Sequence, residues 1–188
     1  MKRGMVLSLM LFACFILSAQ NCNIQGVVQY EYNDYVGYKI DAGAEIGVIS
    51  LKTANEIGVN VETWDKYEKL AKSYMSYLDF KNDDETRYVP ESTIRSLLGW
   101  SQKSEDELKS LANECFSQYI KAVDNFEYIA LVDASGKYTL TLPYGEYIII
   151  VKSKHRERPL VAELTGRIIV EKVKIEKPAR IISFDFCY

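Results

Sequence analysis

Residues 133–151 read Asp-Ala-Ser-Gly-Lys-Tyr-Thr-Leu-Thr-Leu-Pro-Tyr-Gly-Glu-Tyr-Ile-Ile-Ile-Val, and no other stretch limits the possible folds so strongly. Tyr138, Leu140 and Leu142 alternate with Thr139 and Thr141, which gives a strand one apolar and one polar face. Tyr147 to Val151 is a continuous apolar run, suited to a central strand of a packed sheet. Ser135-Gly136 supplies the residue able to take a positive φ that a turn needs. Pro143-Tyr144-Gly145 places proline and glycine as a type II turn prefers them. The two strands and the turn at Pro143 and Gly145 are expected to form a hairpin.

The amino terminus sets the compartment. Lys2 and Arg3 precede an apolar run from Met5 to Leu17, then Ser18-Ala19-Gln20, the pattern of a cleavable secretory signal peptide over residues 1–20. Cys14 follows Leu11-Phe12-Ala13, which is similar to a lipoprotein site, but Phe12 fits poorly and the apolar run continues, so lipidation is the lesser expectation. No later stretch approaches the ~20 apolar residues a spanning helix needs, so no transmembrane segment is expected in the mature chain. The expectation is a periplasmic or secreted protein, with 21–188 as one domain. The net charge is −3, and the leader carries two cations and no acid, so the remainder is more acidic still. That balance and the compartment exclude a nucleic-acid partner.

Three cysteines follow the leader: Cys22, Cys115 and Cys187. Cys22 and Cys187 sit near the two ends, outside the first and last expected strands, and are the candidate pair for a disulfide closing the domain; the odd count leaves one over. No Cys-x-x-Cys or Cys/His spacing points to a metal, and no cofactor is expected.

Strand character begins at Ile24–Tyr32 and returns at Gly43–Ser50 after a turn at 33–37. The period then changes to 3.6. Tyr67, Leu70, Ala71, Tyr74, Tyr77 and Leu78 mark one helical face, with Thr63 as the expected cap. Glu91–Leu98 reads as a short helix after Pro90, and Ser104-Glu105-Asp106-Glu107 as a capping box opening a further helix that carries Leu108, Leu111, Cys115 and Tyr119. Residues 60–125 are therefore read as a helical insertion. Strands resume at 127–132 and continue through the hairpin, 167–175 and 180–186. About seven short strands make a mainly β sandwich.

Gly26-Val27-Val28, Ile40 to Ile46, Asp133-Ala134-Ser135-Gly136-Lys137-Tyr138 and Pro143-Tyr144-Gly145-Glu146-Tyr147 stand in order. This succession resembles the carboxypeptidase regulatory-like domain, a prealbumin-like (transthyretin-like, Ig-like) β-sandwich. The match covers about 24–50 and 127–187, and the helical block has no counterpart in the minimal family domain. The resemblance implies a non-catalytic accessory module, often on exported or envelope proteins, with a fold described as carbohydrate-binding-like. The transthyretin-like hydroxyisourate hydrolase shares the architecture but depends on several histidines and a Tyr-Arg-Gly-Ser ending. This chain has one histidine and ends Phe186-Cys187-Tyr188.

Two surface groups are candidate sites. Tyr30, Tyr32, Tyr35 and Tyr38 cluster around the first turn and offer rings and hydroxyls for stacking on sugars, against the plainer reading of strand packing. Lys152, Lys154, His155, Arg156 and Arg158 form a basic loop able to meet phosphate or carboxylate, against a solvated loop. Asn82 to Glu85 lacks the spacing and glycine of an EF-hand. The function expected is a non-catalytic interaction or structural module of the bacterial cell envelope, its partner an envelope protein or a glycan; the alternative is a carbohydrate-binding module using the tyrosine-rich loop.

Overall fold

The computed structural model describes residues 21–33, 35–84, 88–155 and 167–186. The expected signal peptide, Arg156, Arg158 and Cys187 lie outside them. Strand β1, Asn21–Asn33, is the spine of the first sheet. Its first half pairs antiparallel with β5, Lys137–Pro143, and parallel with β8, Ala179–Ile181. Its second half pairs antiparallel with β2, Gly37–Ile40, and parallel with β9, Phe184–Phe186. The second sheet is antiparallel, in the order β4 (Tyr128–Leu131), β3 (Glu45–Ser50), β6 (Gly145–Lys152), β7 (Ile168–Ile175).

The chain passes from one strand system to the other at Gly26. A Cβ there would lie 1.6 Å from the Ile182 carbonyl oxygen. That carbonyl, in the break between β8 and β9, accepts the Tyr138 hydroxyl at 2.7 Å, and the Ile182 N–H donates to Gln25 at 2.9 Å. Only glycine lets the backbones approach this closely.

The sheets face each other across one core containing Ile24, Val28, Ile46, Val48, Leu140, Leu142, Tyr147, Ile149, Val151 and Phe184. The other face of the four-stranded sheet carries a second core, where Ile49, Ile148 and Ile150 meet α1 (Leu51–Ile57), α2 (Val61–Asn82), α3 (Glu91–Leu97) and α4 (Gln102–Val123). The apolar run Tyr147–Val151 thus has cover on both sides, Tyr147, Ile149 and Val151 inward and Ile148 and Ile150 under the helices.

The expected hairpin is absent. Although β5 and β6 are consecutive, β5 pairs with β1 while β6 lies between β3 and β7, so Pro143-Tyr144-Gly145 is a corner between sheets. Gly145 is not among the glycines of positive φ and already belongs to β6. The Tyr147 hydroxyl donates to the Pro143 carbonyl at 3.0 Å and closes the corner. Gly136 has the positive φ expected of it, 78°. Its turn is held by Asp133, whose Oδ1 accepts from the Ser135 N–H at 2.8 Å and the Lys137 N–H at 2.9 Å.

The mainly β expectation is not met among the described residues, where helix and strand occur in near-equal shares, about 39% and 37%. Among the described residues the sheets hold nine strands rather than about seven: β2 begins at Gly37, the last residue of the expected turn, and the last expected strand divides in two. The helical block is a layer of the core, because the outer face of β3 and β6 is apolar and must be covered. It begins earlier than expected, at α1, capped by Ser50 and stopped by Gly58 with φ 76°. The cap of α2 is Asn60, not Thr63, and that of α4 is Ser101, paired with Ser104 in a capping box three residues upstream of the one expected.

Candidate functional site

The turn after β2 gathers the most concentrated set of polar contacts outside the ladders. The Asp41 N–H donates to the Val28 carbonyl and its own carbonyl accepts from Ala44, so its side chain is held under the loop that leaves β6. That carboxylate is fully buried. It accepts the Ser153 hydroxyl, the Lys154 N–H at 3.1 Å, the His155 N–H at 3.2 Å and the His155 ring at Nδ1, 2.9 Å away. A carboxylate only accepts, so the imidazole proton sits on Nδ1. The ring stacks on Tyr30 with centroids 5.8 Å apart and planes 14° from parallel.

The fold therefore joins one member of each candidate group, Tyr30 and His155, by direct stacking, with the imidazole held in place by Asp41, a residue the sequence pattern does not single out. The signal was faint: an aspartate in Asp41-Ala42-Gly43, with the φ of Gly43 at 84°, looks like any turn. A Ser-His-Asp relay needs serine on one imidazole nitrogen and aspartate on the other. Here Ser153 and His155 both bond the same carboxylate, and the order of a relay is missing.

The four tyrosines do not form one platform. Tyr30 and Tyr32 share a face of β1, Tyr30 half-buried against the core and Tyr32 beneath the Lys39 ammonium at 3.3 Å from the ring centroid. Tyr38 pairs with Glu31 and so lies on the opposite face. Tyr35 is fully exposed at the turn. In the basic loop, Lys152 reaches toward the Tyr119 ring on α4, 5.9 Å from its centroid, while Lys154 covers Gly43. With His155 on Tyr30 and Asp41, all three described basic residues thus pack against other elements.

Of the expected clasp, Cys22 is described and Cys187 lies outside the described residues. Cys22 lies inside β1, opposite Leu142, as a free buried thiol, and burial raises its pKa. Cys115 is likewise buried, its thiol pushed up to about 12 by burial and by Glu114, which suits a small core side chain.

A second polar cluster closes the helical layer. Glu91 accepts from the Tyr77 hydroxyl at 2.7 Å and from Arg95 at 2.9 Å, with Lys81 at 3.4 Å. These partners, Tyr77 first, hold its carboxyl down at about 2. Trp100 stacks on Tyr77 with centroids 6.1 Å apart. Glu127 plays the corresponding part for α1: burial pushes its carboxyl up, but the Thr53 and Ser50 donors outweigh that and leave it below the ordinary value. Among the described residues no group of three or more His, Cys, Asp or Glu could hold a metal ion, and no helix is long and apolar enough to cross a membrane.

A different kind of surface lies on the outer side of the sheet. Ile129 and Leu131 on β4 are 64% and 66% exposed, and Phe116, Ile120 and Val123, at helical spacing on α4, are 40–45% exposed. The other flank of α4 is occupied: Gln118 accepts from the Asn60 N–H and the Trp64 indole of α2.

No protein-family model matches the chain, nor does any curated protein. The solved structures similar to it include a Pseudomonas aeruginosa protein provisionally assigned to carbohydrate binding, at 9% identity and TM-score 0.39, covering 89% of each chain. The full-length major pilin RrgB of Streptococcus pneumoniae is similar at 14% identity and TM-score 0.31, over 88% of this chain and 30% of the pilin. Likenesses this distant transfer no function, and the resemblance to the carboxypeptidase regulatory-like domain rests on the motifs quoted above.

Proposed function

We propose that the protein is an exported, non-catalytic interaction module of the cell envelope, and that it binds another protein chain through the exposed apolar side chains of β4 and α4. The observation that carries this is the exposure of apolar side chains on two elements, Ile129 and Leu131 on β4 and Phe116, Ile120 and Val123 on α4, since apolar surface left open on a folded protein marks interaction sites. The arrangement of Ser153 and His155 on one carboxylate supports a role for Asp41 as a fastener between sheets. Engagement of Tyr30 by His155 and of Tyr32 by Lys39 weighs against the tyrosine-rich loop as a sugar platform.

Crosslinking in the envelope fraction, read by mass spectrometry, tests the proposal. Crosslinks from Lys121, beside the patch, to a recurring protein are expected, and substitution of Phe116 and Ile120 by serine should remove them. Crosslinks unchanged in that variant would overturn the assignment of the surface.

A further inference from the structure

The strands at the edges of the two sheets are not alike. Lys39 lies on β2, Lys137 and Pro143 on β5, Arg180 on β8, Asp185 on β9, and Glu171, Lys172 and Lys174 on β7. Charges and proline at an edge oppose pairing with another chain. β4 reads Tyr-Ile-Ala-Leu, and among the described residues it is the edge strand with neither a charge nor a proline. Among the described residues it has β3 on one side and no paired strand on the other.

The direction of its hydrogen bonds follows from its neighbours. Val132 donates to Ala44, and the Ser50 N–H also points toward this side of β3, to Glu127. Even-numbered residues of β3 therefore face β4, and in the register Ile46↔Ala130 and Val48↔Tyr128 the even-numbered residues of β4 face β3. The N–H and C=O groups of Ile129 and Leu131 are left turned to the free edge.

The outer side chains are unguarded as well. Ile129 lies opposite Gly47, over which the Phe126 ring sits, and Leu131 lies opposite Glu45. α2 packs over β7, at the far edge. At ~100° per residue, Phe116 and Ile120 stand about 160° round α4 from Gln118, the contact to α2. They stand on the face of α4 turned away from α2.

We infer that β4 pairs antiparallel with β4 of a second copy of this chain; this rests on the reading above that the surface binds protein. A two-fold axis at Ala130 sets Ile129 opposite the second copy's Leu131, and Leu131 opposite its Ile129. Both positions carry outward-turned backbone groups, so each pair exchanges two hydrogen bonds, and the exposed side chains meet as apolar neighbours. Every group needed is supplied by the same strand, which is what a two-fold interface requires. At either end Glu127 comes opposite Asp133, both already provided with donors, from Ser50 and Thr53 and from Ser135 and Lys137 respectively.

Sedimentation equilibrium on the exported chain, with hydrogen exchange at two protein concentrations, tests the pairing. A dimer at micromolar concentration is expected, with the Ile129 and Leu131 amides protected as concentration rises. Ile129→Lys places on this edge the guard the others carry and should weaken association by about tenfold or more. Ile181→Lys, on an exposed residue of β8, should leave it unchanged, and circular dichroism should show both variants folded. A wild-type monomer up to hundreds of micromolar, or a dimer indifferent to Ile129→Lys, overturns the inference. If the wild type is monomeric yet Ile129→Lys loses its crosslinks to an envelope protein, the second copy is excluded while the interaction surface stands. Loss of neither defeats both.

Discussion

Asp41 and Glu91 are both carboxylates that collect several donors, but they differ in what they join. Asp41 is fully buried and ties the β2–β3 turn to residues 112 to 114 positions later in the chain. Glu91 is half-exposed and joins Tyr77 and Arg95, 14 and 4 positions away, inside the helical layer. Water can replace the partners of an exposed carboxylate; it cannot reach the buried one, whose donors would be left unpaired. The two sites should therefore respond very differently to the same change.

The largest effect is expected from Asp41→Ala. It leaves the Ser153 hydroxyl and the Lys154 and His155 amides without their acceptor, a loss of about 3 kcal/mol in urea unfolding. A loss below about 1 kcal/mol would erase the contrast with Glu91. His155→Ala keeps the carboxylate and three of its donors but removes the ring bond and the stack on Tyr30, for about 1 kcal/mol by the same measurement. Tyr77→Phe removes one buried hydroxyl donor and should cost about 1 kcal/mol, with the aromatic cluster around Trp100 retained in near-ultraviolet circular dichroism.

Glu91 itself should show its effect through pH. Its carboxyl is held at about 2 in the folded chain against an ordinary 4.5, so its contribution is fully present above 4.5 and is lost as pH falls through about 2. The melting temperature should decline across that window, and Glu91→Gln should flatten the decline slightly. A profile identical in the two proteins would show that solvent screening removes even this small contribution.

Periodicity made several elements readable. The alternation from Tyr138 to Leu142 identifies a strand and its buried side, and the apolar run from Tyr147 to Val151 identifies a central strand, because those patterns depend on local geometry. The caps were less legible. Asn60 and Ser101 compete with Thr63 and Ser104 as helix starts, and the choice depends on where Trp64 and Trp100 are buried. Asp41 was not visible as a site at all, since nothing near it in the chain announces Ser153 or His155.

What the sequence by itself determined is the set of local elements: strands where apolar residues recur every second position, helices where they recur at 3.6, and a positive-φ turn at Gly136. What only the tertiary structure decided is how those elements are shared out. Pro143-Tyr144-Gly145 suits a hairpin and a corner between sheets equally well, and the corner forms because β5 finds β1 while β6 finds β3 and β7. The same pairing leaves Ile129 and Leu131 at an edge. Strand partners are chosen by burial and backbone hydrogen bonding across the whole chain, and no window of neighbouring residues contains that information.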